Sequence, residues 1–255
     1  MKTLLTSLCA SLLLALPVAQ AQQAGGIPAI SAQAPFLAAA LSEFFSDTRA
    51  FTASVELALA AKEGGESMKL PFGVAMADGK MRWELNLANV KSAELPPEAL
   101  TGIKEMGLDR MAFIYLPSKP LTLLLPGMKT YIELPTPKPE GVQKQAQEKI
   151  GRLEKTELGR ETIAGQPTVK YAVKIPGDDG TATVWQATNL QNLPVKILIT
   201  KAQQTYQLQL SNVRLGQPDA AIFVVPAGFA KQADLSAAIQ AAAMKSFSTG
   251  VGGIK

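Results

Sequence analysis

From residue 51 onward the sequence alternates. Phe51, Ala53, Val55, Leu57 and Leu59 fall on one side of an extended chain, and Thr52, Ser54 and Glu56 fall on the other. That period of two places successive side chains on opposite faces of a sheet. Met81, Trp83, Leu85 and Leu87 alternate in the same way with Lys80, Arg82, Glu84 and Asn86, and Val169, Tyr171, Val173 and Ile175 with Thr168, Lys170 and Lys174. Val195, Ile197 and Ile199, then Tyr206, Leu208 and Leu210, continue the pattern. Asp78-Gly79 and Asp178-Asp179-Gly180 separate runs with the residues that hairpin turns demand. So many strands, each with one apolar face and tight turns between them, predict a large antiparallel sheet rather than βαβ units. Pro71 interrupts one run, and its missing N–H confines that strand to an edge or a bulge.

Helical periodicity enters at four places, which makes the expected class mainly β with helices added (α+β). Leu37, Leu41, Phe44 and Phe45 form one apolar stripe after Pro35. Pro96-Pro97 precedes Leu100, Ile103 and Met106. The proline-rich 135–139 stretch precedes a helical insert near 140–153 bearing Val142, Ala146, Ile150 and Leu153. A last helix is expected over 234–247, with Leu235, Ile239, Ala243 and Phe247 spaced by four. A domain boundary at 135–141 is conceivable, since Pro137 and Pro139 stiffen the chain. Either half alone would hold few strands, which favours one sheet crossed by a connector.

The N-terminal segment reads as an export signal over residues 1–21. Lys2 precedes the apolar run Leu4 to Val18, and Ala19-Gln20-Ala21 supplies small residues for cleavage after Ala21. A membrane anchor is the competing reading, but the run falls short of the roughly 20 residues a spanning helix needs. Leu8 before Cys9 does not make a lipobox. The expectation is a periplasmic protein with a flexible leader at 22–34, one domain over 35–247 and a flexible tail at 248–255.

Reactive side chains are scarce. The chain has no histidine, and its single cysteine, Cys9, lies in the signal. The commonest general base, the usual transition-metal ligand and the thiol nucleophile are therefore missing from the mature sequence. No nucleophile elbow or phosphate-binding glycine loop occurs, and Asp178-Asp179 reads as a solvated turn. Glu154, Glu157 and Glu161 intersperse with Lys155 and Arg160 as a charged surface would. No enzymatic activity, catalytic residue, metal or cofactor is expected. The formal charge of +4 is spread along strands and turns without a basic track, which argues against nucleic acid as a partner.

Near the C-terminus, Thr205 to Val213 (TYQLQLSNV) leads into Asp219-Ala-Ala-Ile-Phe-Val-Val-Pro-Ala-Gly-Phe229. With Phe51 to Val55, Lys80-Met-Arg-Trp83, Lys129 to Glu133, Gly159 to Gly165 and Val184-Trp185 in the same order, this segment resembles the periplasmic lipoprotein-carrier (LolA-like) superfamily. The resemblance implies an incomplete barrel with helices across its mouth and acyl chains bound on the concave face. It implies a carrier of lipid or acylated protein, with transient contact to a membrane or an envelope protein. Relatives on that fold also sense envelope state through a protein partner. On this reading the cavity candidates are Phe51, Val55, Leu57, Met81, Trp83, Leu85, Tyr171, Val173, Tyr206 and Leu208. Leu41, Phe45, Leu100, Ile103, Ile239 and Phe247 are the lid candidates, and Arg82 is the contact for a head group or a lid carbonyl. Periodicity alone leaves open whether the apolar face is filled by side chains or encloses a cavity. Arg82 has the opposite parity to Met81 and Trp83, so an exposed cross-strand partner is its alternative role.

Overall fold

The alternating runs pair into one sheet of twelve strands. The structure, a computed structural model, describes Thr48 and residues 50–61, 68–90, 97–117, 119–134, 154–174, 181–201 and 204–250. The strands are β1 (Ala50–Ala61), β2 (Met68–Ala77), β3 (Lys80–Asn86), β4 (Arg110–Tyr115), β5 (Leu121–Leu125) and β6 (Thr130–Leu134), then β7 (Glu154–Ile163), β8 (Gln166–Lys174), β9 (Thr181–Ala187), β10 (Leu193–Lys201), β11 (Gln204–Leu215) and β12 (Ala230–Gln232). Helix α1 (Pro97–Glu105) joins β3 to β4, and α2 (Leu235–Gly250) follows β12. Across the sheet the order is β12-β6-β5-β4-β3-β2-β1-β11-β10-β9-β8-β7. Only β12 runs parallel to its neighbour, β6. The sheet is curved and unclosed.

Two meanders meet at its centre. Strands β1 to β6 step outward from the middle to one side, and β7 to β11 step inward from the far edge until β11 pairs with β1. Residues 135–153 therefore connect positions on opposite sides of the sheet. Two hairpins follow the turn chemistry of their sequences. Asp78 and Gly79 both take positive φ (48° and 78°), as do Ala164 and Gly165 (48° and 80°). Two left-handed residues in a two-residue loop match the twist of the flanking strands.

Pro71 lies in an interior strand, contrary to the edge expected for it. Its partner on β1 is Glu56, while the β2–β3 ladder begins only at Phe72. At Pro71 the strand has a ladder partner on one side only, so the proline sits at a local edge of an interior strand.

The two faces of the sheet are packed differently. On the inner face one apolar cluster runs from Ile132 on β6 to Val173 on β8, and Ile103 of α1 and Leu235, Ala238, Ile239 and Ala242 of α2 pack against it. Asp234 caps α2, its Oδ1 accepting from the Ala237 N–H at 2.8 Å. The packed stripe steps by three and four residues. The strict spacing of four expected through Ala243 drifts off this face, because a helix turns once per 3.6 residues, and Ala243 is exposed. The outer face of β2, β4 and β5 carries a second cluster, Ala75, Ala77, Ala112, Ile114 and Leu124, covered by Phe223 and its neighbours Ile222, Val225 and Phe229. The expected helix bearing Leu41 and Phe45, the insert near 140–153, the turn at 178–180 and the export signal lie outside the described residues.

At one end of the sheet, the loop after α1 meets the 3-10 turn between β5 and β6 through two glycines. A Cβ on Gly127 would sit 2.5 Å from the Gly107 carbonyl oxygen and 2.7 Å from its Cα. Backbone cannot yield as a flexible side chain does. Gly127→Ala should therefore destabilise the protein by about 1–3 kcal/mol, the usual cost of overpacking, seen as a lowered urea midpoint. Gly73→Ala, with nothing within 4 Å of the new methyl, serves as the control and should leave the midpoint unchanged or higher.

Candidate functional site

Cross-strand register builds the candidate site as rows of apolar side chains on the inner face. One row runs Tyr171, Val184, Ile197, Leu208, Leu57 and Leu70 across β8, β9, β10, β11, β1 and β2. A second runs Leu210, Val55, Phe72, Leu85 and Met111 from β11 to β4. Because the period of a strand is two, each row stacks on the next with every intervening residue facing away. Phe51, Val55, Met81, Trp83, Leu85, Val173, Tyr206 and Leu208 belong to the main cluster, and Leu57 packs on it half-buried. Tyr171 shares the face through its pairing with Val184. The register thus brings all ten cavity candidates to one side. Trp83 stacks on Phe113 with ring centroids 5.1 Å apart and planes 12° apart, a packing role.

Burial is graded along this face. Val184, Ile197 and Ile199 are at most 1% exposed, whereas Leu57, Leu70 and Phe72 are only half-buried. These three are contiguous on β1 and β2, and α1 carries Ile103 to the same end of the sheet. Burial pushes the Tyr206 phenol above its ordinary pKa. Of the lid candidates, Ile103 and Ile239 pack on the main cluster, and Leu100 is half-buried on α1. Phe247 falls within α2, but its side chain lies outside the described residues, as do Leu41 and Phe45.

Arg82 is on the other face. Its cross-strand partners are Ala75 and Ile114, its Nη1 donates to the Ile222 carbonyl at 2.8 Å and its Nε to Glu84 Oε1 at 2.7 Å. Its side chain is 15% exposed. The guanidinium therefore fastens the 220–223 turn over the outer cluster, on the opposite side of the sheet from Met81 and Trp83. Its planar fork holds the two donors in a fixed relative geometry.

Two features escaped sequence reasoning. On the outer face Trp185 is 4% exposed, its indole N–H donates to Glu161 Oε1 at 2.5 Å, and the ammonium groups of Lys170 and Lys196 lie 5.1 and 4.8 Å from the ring centroid. That indole bond, helped by Lys170 and opposed by desolvation, holds the Glu161 carboxyl below its usual range. On the inner face, Lys155 at the β7 edge points its ammonium at the Tyr171 ring, 3.4 Å from the centroid, and donates to Gln186 Oε1 at 3.0 Å. A charged run gave no sign that one of its lysines faces the apolar side.

Among the described residues no group of histidine, cysteine or carboxylates could hold a metal ion, and no helix is long and apolar enough to cross a membrane. No family model matches the chain, and no curated relative does. Among solved structures, the chain is similar to an uncharacterised conserved protein from Thermus thermophilus (10% identity, TM-score 0.43, covering 79% of this chain and 99% of that one). It is similar to the Mycobacterium tuberculosis lipoprotein LppX (13% identity, TM-score 0.40, 76% and 99%). It is similar also to the Pseudomonas aeruginosa MucA/MucB complex (12% identity, TM-score 0.37, 72% and 58%). Nothing about cargo or partner passes across likenesses of this size.

Two outcomes follow from the outer face. Arg82→Met keeps the apolar stem and removes the bonds to Ile222 and Glu84. It should lower stability by about 1.5–3 kcal/mol, the worth of hydrogen bonds to a charged group, measured by urea denaturation. Glu161 has a depressed folded pKa, so its contribution is present above the unfolded value of 4.5 and is lost as pH falls through the folded pKa. The Trp185 indole N–H resonance should therefore shift on acidification with a midpoint below 4.5, while that of Trp83 stays put. A midpoint at or above 4.5 would remove the proposed bond.

Proposed function

We propose that this chain is a non-enzymatic, exported binding protein for lipid or acylated protein, holding acyl chains against the inner face of its open sheet. One observation carries the reading: the inner face is a continuous apolar surface from β6 to β8, and its cover relaxes at Leu57, Leu70 and Phe72 rather than closing over them. An acyl chain laid on it gains about 0.8 kcal/mol per buried methylene, so a dozen methylenes supply roughly 10 kcal/mol before ordering costs. Export and a periplasmic location rest on the N-terminal signal pattern, and the carrier assignment on the ordered strand motifs. The scarcity of reactive side chains supports binding over catalysis.

The near-zero exposure of Leu121, Leu123 and Leu125, as of the β9–β10 residues, favours a second reading. In it the core is permanently filled and the protein serves the envelope through a protein partner.

A fluorescent fatty acid separates the two. Binding should be saturable, and Leu57→Asp, at a half-buried rim position, should weaken it at least tenfold while the protein still melts cooperatively. Absence of saturable binding to delipidated protein would leave the filled-core reading in place.

A further inference from the structure

Polar groups on the inner face concentrate at its β7 edge. Lys155 is the cross-strand partner of Val173, and Val173 of Ala182, so all three project to the side of the main cluster. Tyr171 and Gln186, which hold the ammonium, are on that side too, opposite Val184 and Val169 respectively. An ammonium has three donors, and Gln186 takes one. The Tyr171 ring holds the cation from one side without neutralising it. Among the described residues no carboxylate lies within ion-pair distance of Lys155, and Glu157, on the same face, acts on it only at longer range. Loss of hydration at the ammonium lowers its pKa, as expected for a charge drawn toward an apolar surface. The result is a positioned cation on an exposed edge residue, with spare donors, reaching over the Tyr171 ring from the next register row, while Glu157 is the β7 partner of Tyr171 itself.

We infer that Lys155 seats the oxyanion, carboxylate or phosphate, of an acyl amphiphile whose chain runs along the row Tyr171, Val184, Ile197, Leu208 and Leu57, displacing the cover that leaves Val184, Ile197 and Leu208 at most 4% exposed. This rests on the acyl-binding reading above and deepens it by naming the ligand class. From Tyr171 on β8, over which the ammonium lies, to Leu57 on β1 there are four inter-strand steps, about 19 Å along the sheet at ~4.8 Å each. That distance suits a long acyl chain and brings its far end to the half-buried Leu57, Leu70 and Phe72. The head-group role expected of Arg82 passes to Lys155, because Arg82 faces the other way and is already occupied by Ile222 and Glu84.

The test compares oleate with oleyl alcohol, the same chain without the charge, by displacement of a fluorescent fatty acid from the full-length mature protein. Wild type should prefer oleate at least tenfold. Lys155→Met should erase that preference by weakening oleate while leaving the alcohol unchanged, and Lys155→Arg should retain it. Inorganic phosphate alone should displace neither. An undiminished preference in Lys155→Met overturns the assignment, and so does free phosphate binding at Lys155 as tightly as oleate. If both amphiphiles bind wild type equally, the acyl-binding reading stands and only the role of Lys155 is lost. If neither binds, both fall. Should Lys155→Met fail to fold, Gln186→Leu, which removes the amide that positions the ammonium, must reduce the preference for oleate, and an unchanged preference there also overturns it.

Discussion

The ladder between β1 and β11 is the interaction on which the rest of the molecule depends. Its pairs run from Phe51 with Leu215 to Ala61 with Gln204, and among the described strands it is where the two meanders pair. Without it each meander would present a long bare edge, and the inner face would split into two patches too narrow to form one core. Its register is pinned by a bulge. Between Thr52 and Ser54 the partner strand carries an extra residue, with Asn212 at φ 53° and its side-chain amide donating to Ser54 Oγ at 3.3 Å. Asparagine tolerates the left-handed region better than most residues. The bulge also changes parity along β11, so that Val213 joins Leu210 on the inner side. It keeps both ends of a twelve-residue strand apolar toward one core, and it adds local twist to a sheet that must curve.

Separate covers for the two faces explain the distribution of residue sizes. The outer cluster uses Ala75, Ala77 and Ala112, small enough to let a 3-10 turn (Ala220–Phe223) approach the strands closely. Its Asp219 N-cap accepts from the Ala221 N–H at 2.9 Å. Arg82 then binds the turn's Ile222 carbonyl. Over β8 to β10 the same face carries Lys170, Thr183 and Lys196 and needs no cover, because water and the Trp185 assembly satisfy it. One sheet is thus two-layered at one side and solvated at the other, as antiparallel sheets permit.

How much of this was legible in the sequence depended on how regular each element is. Strands β1, β3, β8, β10 and β11 announce themselves because their inner residues are apolar at every second position, and the Asp78-Gly79 turn because few dipeptides take two positive φ values. The first half of β7 did not, its second half being marked only by the Gly159 to Gly165 resemblance. As an edge strand with Lys155 and Glu157 on its inner side, it buries too little apolar area to show an alternation, and the bulge between Glu157 and Gly159 breaks the period. The Asp219 to Phe229 segment was conspicuous as a motif, yet its contact with Arg82 spans 140 positions in sequence, beyond any local pattern. Parity alone did show that Arg82 opposes Trp83. The ten candidates for the inner face were readable because side-chain direction in a strand is fixed by counting, whereas burial depends on what lies across from it.

The competition between ligand and core is an energetic question that α2 helps to frame. Its packed stripe is Leu235, Ala238, Ile239 and Ala242, two of the four being alanine, and Leu235 and Ile239 are only half-buried. Fully burying a leucine or isoleucine is worth about 1.5–3 kcal/mol, so among the described side chains of α2 the two half-buried ones and the two alanines contribute a few kcal/mol. That equals the burial of some four to six methylenes at about 0.8 kcal/mol each. The main strand contacts of α2 are with β6 and β12, so releasing it would open the inner face at that edge of the sheet. The side chains of the sheet are locked by register and cannot give way; a helix held by small residues can.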